Sequence, residues 1–329
     1  MKITVIVCTY NRCRTLAQAL DSLAAQRMPE PLEWEVLVVD NNSSDQTRDV
    51  VEGFCRRHAD RFRYLFQPQP GKSHALNLAI REASGDVLAF TDDDGILDAN
   101  WLHNLTAPLQ DGQWAGVGGR TLPGQSFVPP PWLSIEEPYN LGGALCALFD
   151  LGDQPGELDR PPYGTNMAFR KAMFERYGGF RLDLGPGPDK NIPRPNEDTE
   201  FGRRLMAAGE RLRYEPSALV THPVPEERVS EQFFLAWWFD YGRAGTREMG
   251  SRPDILGIPR RYFTMLKTGS VLAFVRTPQW IFTVNPKLRF YRKCFARKSA
   301  GEIAELYRLS FPSPKVENGA VLNDGKVRG

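Results

Sequence analysis

Residues 87–97 read VLAFTDDDGIL, an apolar run that ends in three consecutive carboxylates, Asp92, Asp93 and Asp94. Adjacent negative charges repel, and an apolar strand supplies no counter-charge. Toward the N-terminus the same kind of run recurs. ITVIV (3–7), EVLVV (35–39) and FRYLF (62–66) are short and β-branched or aromatic, the pattern of buried parallel strands. Between them, RTLAQALDSLAAQ sets Leu16, Leu20 and Leu23 on one helical face, and DQTRDVVEGFCRRH is spaced similarly. SHALNLAIREAS starts at a Ser cap and ends before Gly85. Strand–helix–strand repetition predicts an α/β fold: a Rossmann-like, mostly parallel sheet with flanking helices and right-handed crossovers.

In open α/β sheets ligands bind beyond the carboxyl ends of the strands. VLAF delivers the three aspartates to that edge, Asp40 closes EVLVV in the same way, and Thr9, Tyr10 and Asn11 follow ITVIV. Hard cations such as Mg²⁺ or Mn²⁺ want oxygen ligands, and Mg²⁺ commonly takes one or two carboxylates together with substrate phosphates. A lone Asp at a strand end is often a helix cap, but that reading leaves the repulsion among three unrelieved. An apolar strand followed by DxDG also opens haloacid-dehalogenase-type phosphatases, with Asp92 as nucleophile and Asp94 as acid. Such enzymes start their first core strand with the motif, whereas three strands precede it here. The later acidic pair, Glu197-Asp198, follows a Pro-rich loop instead of an apolar strand. A nucleotidyltransferase would also join such a sheet to metal-binding Asp residues, but CTYNRCRT lacks the Gly-rich loop it needs after the first strand.

Beyond GVGGRT (116–121) the alternation dissolves into the Pro-rich LPGQSFVPPPWL. NMAFRKAMFERYGGF reads as a strand and then a helix ending at Gly178-Gly179. Residues 181–196, with four prolines, read as a long loop of the kind that is usually functional. EDTEFGRRLMAAG and SEQFFLAWWFDYGRAG are amphipathic helices, and Phe233, Phe234, Trp237, Trp238 and Tyr241 of the second follow core spacing. The tail, 312–329, reads as disordered.

Net charge is +1, which predicts no nucleic-acid partner, but its distribution is uneven. Eleven Lys or Arg face one acid between Arg252 and Lys298, leaving −9 for the rest of the chain. The five cysteines, Cys8, Cys13, Cys55, Cys146 and Cys294, contain no CxxC pair, which fits a reducing cytosol better than a disulfide framework or a zinc site. The N-terminal apolar run is too short for a signal-peptide core, and no stretch approaches the roughly 18 apolar residues of a membrane span. A cytoplasmic protein is expected, peripheral on the inner membrane face if the basic segment touches lipid.

VIVCTYNR, VLVVDNNSSDQT, PGKSHALNLAI, DVLAFTDDD, GTNMAFRKAMFERYGGF, NEDTEFGRRLMAAG and THPVPEER occur in the order seen in family 2 glycosyltransferases of the GT-A fold, and the chain resembles that family over residues 1–245. The resemblance implies inverting, metal-dependent transfer of a sugar from a UDP-, GDP- or dTDP-linked donor to a hydroxyl of a glycan or lipid-linked acceptor. Residues 1–121 would form the nucleotide-binding half and 122–245 the acceptor half, followed by a helical C-terminal extension, 246–311. Thr9, Tyr10, Asn11 and Asp40 would meet the nucleotide, and Lys72 would lie over the donor. Asp92 or Asp93 would bond the ribose, Asp94 would ligate Mg²⁺ or Mn²⁺, and Asn166 would orient acceptor or sugar. Asp198 would be the general base with Glu197 beside it, and His222 a third metal ligand or diphosphate contact. His58 and His103 receive no role, and His74 stays undecided. The QxxRW signature of the processive branch is absent, so non-processive transfer is expected. Ser73-His74 departs from the family's usual residues, so the resemblance does not fix the sugar. A catalytically inactive glycan-binding scaffold would need nothing at Asp198.

The implied chemistry has physical grounds. Lys72 follows Gly71 near a helix start, where ammonium and helix dipole both favour phosphate. A helix N-terminus lowers a carboxylate's pKa, and burial beside Glu197 would offset that at Asp198. For the basic segment, Tyr262, Phe263, Phe274, Trp280, Phe282, Phe290, Tyr291 and Phe295 interleave with cations. Three readings stay open: a helix pair lying on an anionic inner leaflet, nucleic-acid binding through aromatic stacking, or a helical cap that packs its aromatics on the core and leaves the cations solvated.

Overall fold

The computed structural model describes residues 1–29, 32–188, 195–250, 254, 258–311, 315–317 and 320–322. Four strands, β1 (Ile3–Thr9), β2 (Trp34–Asp40), β3 (Phe62–Phe66) and β4 (Val87–Asp92), alternate with α1 (Leu16–Ala24), α2 (Thr47–Arg57) and α3 (Lys72–Glu82). The expected runs and observed elements agree here to within a few residues. Ser73 is the exception. It lies inside α3, whose N-cap is Gly71, and its hydroxyl donates to Leu184 O instead of capping.

The second half continues through β5 (Ile96–Leu97), α4 (Trp101–Thr106), β6 (Gly116–Pro123), α5 (Gly142–Cys146), β7 (Gly156–Glu157) and β8 (Asn166–Arg170). Then follow α6 (Lys171–Tyr177), α7 (Glu197–Ala207) and β9 (Leu212–His222). β9, which ends at His222, spans eleven residues. The main sheet runs β3-β2-β1-β4-β8-β6-β9-β5, with β7 beside β9. β1 pairs in parallel with β2 and β4, so the chain order reverses at β1. β8 is antiparallel to both β4 and β6, which makes the sheet mixed and not parallel throughout.

Period-two alternation along β1 explains why the sheet is covered on both faces. Ile3, Val5 and Val7 pack with Leu16, Leu20 and Leu23 of α1, while Ile6 faces Ala75, Leu76 and Ala79 of α3. Each such aliphatic side chain stabilises the fold by roughly 1.5 to 3 kcal/mol when fully buried.

The chain ends in helices: α8 (Glu231–Glu248), α9 (Arg260–Val271), a π-helical stretch Leu272–Arg276, α10 (Thr277–Ile281) and α11 (Pro286–Ser310). Ser230 caps α8 by accepting from Phe233 N. α8 packs along α11 over a third apolar cluster, in which Phe234, Phe290 and Cys294 meet Leu133, at the end of the Pro-rich connection, and Leu141 and Leu145 at α5. The expected boundary at 245/246 thus falls within α8. Among the described residues no helix is long and apolar enough to cross a membrane. The expected tail, 312–329, lies outside the described residues except for β10 (Lys315–Glu317) and β11 (Ala320–Leu322), which pair antiparallel.

α8 and α11 approach backbone to backbone. A Cβ at Gly242 would collide with Lys298 O, and one at Gly301 with Phe239 O. Glu305, fully buried on α11, pairs with Arg243 at 3.1 Å, Arg247 at 2.6 Å and Arg308 at 2.6 Å. We expect Gly301→Ala to cost about 1 to 3 kcal/mol in chemical denaturation. Glu305→Ala, which strands buried guanidinium charge, should cost about 3 to 5 kcal/mol. Gly245→Ala, with open space around the new methyl, should be neutral or stabilising.

Candidate active site

Strand register puts the polar residues on one rim. Thr9 lies opposite Asp40, and Cys8 opposite Asp92, at the carboxyl ends of β1, β2 and β4 beside the point where strand order reverses. Because β8 runs the other way, its beginning shares that rim, and Thr91 pairs with Asn166. β9 is parallel to β6 and delivers His222 to the same edge.

Asp92 is held from two sides. Lys72 Nζ lies 2.8 Å from Oδ1, and Thr165 Oγ1 donates to Oδ2 at 2.6 Å. Lys72 also reaches Glu197 Oε1 at 3.7 Å. Burial alone would raise Asp92, but the Lys72 and His222 charges outweigh it and hold the carboxyl well below the usual range. Burial likewise opposes charge on Lys72, and Asp92 and Glu197 reverse that, so the ammonium is retained. Cys8 beneath them is inert: burial, chiefly, pushes its thiol up to about 12.

Asp94 and His222 are both buried, with Nε2 3.1 Å from Asp94 Oδ1. His222 Nδ1 sits 2.8 Å from Pro223 O. A carbonyl can only accept, so Nδ1 carries a proton and Nε2 turns toward a carboxylate. Two acceptors facing each other require a positive charge between them, either a proton or a cation. Burial lowers His222, but the hydrogen bond and charge of Asp94 outweigh it and raise the imidazole. Asp93 is pushed up to about 7, first by burial and then by the charges of Asp94 and Asp92. Thr9 Oγ1 and Thr91 Oγ1 are buried with no well-formed hydrogen bond among the described residues. One ligand atom each from Asp92, Asp94 and His222 falls within 4.8 Å of the others, a set that fits a divalent cation.

Glu197 and Asp198 open α7 as expected, its N-cap being Asn196. Asp198 accepts from Gly164 N at 2.5 Å and from Thr199 N at 2.6 Å. Any side chain at Gly164 would crowd Asp198 Oδ2, since a Cβ there would lie 3.0 Å away. Burial raises Asp198 more than its two amides and Lys72 lower it, and the neighbouring charge adds to burial at Glu197. The helix start therefore does not make a weak base of Asp198.

Asp40, also buried, accepts from Ser43 N and from Tyr64 Oη at 3.0 Å. Asn11 braces the rim by accepting from Ser44 N, and Tyr10 stands exposed there. Asn166 is a correction. It is buried beneath the rim, accepts from Trp101 Nε1 and donates to Arg120 O and Ala218 O, so its amide is consumed by the core. Thr165 and Gly164 were not anticipated, because the strand-end rule looks only at carboxyl ends. GTN, just before an antiparallel strand, was the available signal.

The Glycosyl transferase family 2 model matches residues 4–178. Succinoglycan biosynthesis protein ExoM of Rhizobium meliloti is 31% identical over 72% of this chain and 70% of its own. A glucosyl-dolichyl phosphate glucuronosyltransferase of Haloferax volcanii is 29% identical over 74% and 76%. The solved mannosyltransferase PcManGT from Pyrobaculum calidifontis, in complex with GDP-Man and Mn²⁺, superposes with TM-score 0.61 at 21% identity, covering 93% of this chain and 87% of that one. The fold is therefore GT-A, a nucleotide-sugar enzyme's architecture. The chain belongs to glycosyltransferase family 2.

Asn166→Ala would leave the Trp101 indole and two carbonyls unpartnered. We expect a stability loss of about 1 to 3 kcal/mol or more by thermal denaturation. Substrate KM values for the folded fraction should be unchanged, as an acceptor-binding side chain would not allow.

Proposed function

We propose that this chain is an inverting, metal-dependent, non-processive glycosyltransferase that moves a sugar from a nucleotide-diphosphate donor to a hydroxyl of a glycan or lipid-linked acceptor. One observation carries the reading. An Asp92–Asp94–His222 cluster, in which Asp94 and His222 are buried and Asp92 half-buried, faces a buried Glu197 and half-buried Asp198 across the Lys72 ammonium.

Thr9, Tyr10, Asn11 and Asp40 would receive base and ribose, with Asp92 or Asp93 on the ribose as well. Asp94 and His222, joined by Asp92, would hold Mn²⁺ or Mg²⁺; the imidazole leans the choice toward Mn²⁺. When bound, such an ion acts as a Lewis acid that spreads charge building on the leaving diphosphate. Lys72 sits at the first turn of α3, where its ammonium and the helix dipole both favour phosphate. Asp198, fixed by two backbone amides, takes the proton from the acceptor hydroxyl as that oxygen attacks the anomeric carbon. The bond to the diphosphate breaks on the opposite face, which inverts the centre. Residues 1–121 serve the donor and 122–245 the acceptor in this scheme. A bound GDP-mannose in one structural neighbour and UDP-GlcNAc in another, Staphylococcus aureus TarS 1-349 (TM-score 0.52, 18% identity, covering 99% of this chain and 98% of that one), support a sugar-nucleotide donor. The Haloferax relative's name supports a lipid-linked glycan as one acceptor class.

Asp198→Asn should lower kcat by roughly 10²- to 10⁴-fold and leave donor affinity intact. Equal sugar-nucleotide turnover by variant and wild type would remove the base from Asp198 and favour a scaffold. Only the deprotonated form accepts a proton, and its pKa is raised by burial. Hence kcat/KM should fall as pH drops through a value above the ordinary carboxylate range, a limb that Asp198→Asn abolishes.

A thermal-shift screen of UDP, GDP and dTDP with and without Mn²⁺ should show stabilisation by one nucleotide that requires the metal. Asp94→Asn and His222→Ala should each abolish the metal-dependent part. A shift that survives both substitutions would move the ion elsewhere.

A further inference from the structure

Among the described residues, exposed apolar surface and unbalanced positive charge coincide in the helical hairpin built from α9, α10 and α11. No residue of α9 is buried. Helical spacing puts Phe263, Leu266, Lys267, Ser270 and Phe274 on a single face, and Leu266 is 71% and Phe274 80% exposed. The turn that joins α10 to α11 carries Phe282, 81% exposed, and Val284, 95% exposed. Residues 255–301 contain no Asp or Glu. Several of the cations there are engaged within the fold, Lys293 with Glu231 and Arg276 with Phe295 O and Ser299 Oγ. Arg260, Lys267, Lys287 and Arg289 are exposed and have no acidic partner among the described residues.

We propose that this hairpin is a docking surface for an anionic lipid bilayer. It would lie in the headgroup plane, with Leu266, Phe274, Phe282 and Val284 entering the acyl boundary and the four free cations among the phosphates. A bilayer offers anionic groups and, a few ångströms deeper, an apolar medium, which is the pairing this surface presents in reverse. A second copy of the chain would bring the same positive charge against itself. Nucleic acid would leave Leu266 and Val284 with no base to stack on and no apolar phase to enter. The rest of the chain carries the compensating negative charge, so an anionic surface repels it and turns the molecule hairpin-first. No described helix could span, so the contact is a surface one.

The test is co-sedimentation of the full chain with vesicles of phosphatidylcholine alone or mixed with phosphatidylglycerol, at low and high salt, without donor or acceptor. Its outcome is thus independent of the sugar-transfer reading. Wild type should bind the mixed vesicles, weakly or not at all the neutral ones, and less at high salt. Replacing Arg260, Lys267, Lys287 and Arg289 together by Glu should weaken binding roughly a hundredfold or more. Replacing Leu266, Phe274, Phe282 and Val284 together by Ser should weaken it roughly tenfold or more. The Ser variant, altered only at exposed positions, should keep the wild-type Tm and serves if the charge variant fails to fold. Absence of wild-type binding, or binding indifferent to lipid charge, overturns the proposal. So does a wild-type dimer in size-exclusion chromatography that the Ser variant dissolves, since a second copy would then cover the face.

Discussion

Lys72 Nζ stands 2.8 Å from Asp92 and 3.7 Å from Glu197, and both acidic groups of the cleft depend on it. Without that ammonium, Asp92, Asp93, Asp94, Glu197 and Asp198 would crowd together with His222 and the weaker fields of Arg12 and Arg228 as the opposing charges among the described residues. Carboxylates so placed cannot all ionise. The observed outcome is a division. Asp92, beside Lys72, stays charged, while Asp93 and the Glu197–Asp198 pair are pushed toward protonation, in each case by burial first. A dication added near Asp94 and His222 would shift the first group further toward ionisation. Lys72, meanwhile, would still hold Glu197 beside Asp198. Division of labour between the two acid groups therefore rests on one side chain fixed at the start of α3.

The position of Lys72 is itself dictated by loops that the sequence shows only as Pro and Gly punctuation. Asn41, just past β2, donates to Gln67 O and Gln69 O and accepts from Gly71 N, which fixes the approach to α3. Lys72 N donates to Pro186 O, Ser73 to Leu184 O, and Asn77 bonds both Phe180 N and Phe180 O. One face of α3 thereby anchors the segment leading toward α7. Residues 189–194 of the expected long loop lie outside the described residues.

How much of this could be read beforehand follows from the kind of signal each part emits. The strands β1 to β4 announce themselves through runs of buried apolar residues, and their ends locate Thr9, Asp40 and the Asp92–Asp94 run by a rule that holds for parallel strands. β8 breaks that rule. It enters antiparallel between β4 and β6, so its leading residues, Gly164 and Thr165, reach the rim instead of its last ones. Local sequence carries no mark of strand direction when the partner lies some eighty residues away. Asn166 was assigned to acceptor or sugar through family resemblance, and the register of β8 shows where its side chain goes. One residue further into an antiparallel strand, a side chain alternates to the interior, and there the amide ties Trp101 to β6 and β9. Asp198 and His222 were legible only through family resemblance, since a helix-starting acidic pair and a lone histidine have ordinary structural uses.

Asp198 and the C-terminal helices are mechanically joined by hydrogen bonds and ion pairs. Asn196, in the left-handed region at φ 86°, precedes Glu197 and donates to Glu248 at the end of α8, where Arg203 of α7 also pairs at 2.7 Å. Asparagine tolerates that backbone better than most residues, and the side chain's bond to Glu248 uses the turn it creates. Further along the same contacts, Arg243 and Arg247 of α8 grip Glu305 of α11. α7 thus cannot slide along its axis without breaking either the Asp198–Gly164 contact at one side or the Glu248 contacts at the other. α8 cannot move against α11 without separating buried ions, and the Gly242 and Gly301 approach leaves no slack for a small shift. A surface bound by the hairpin would accordingly set the orientation of the whole cleft as a rigid body. The helical extension is better understood as a continuation of the scaffold that holds α7 than as a separable appendage.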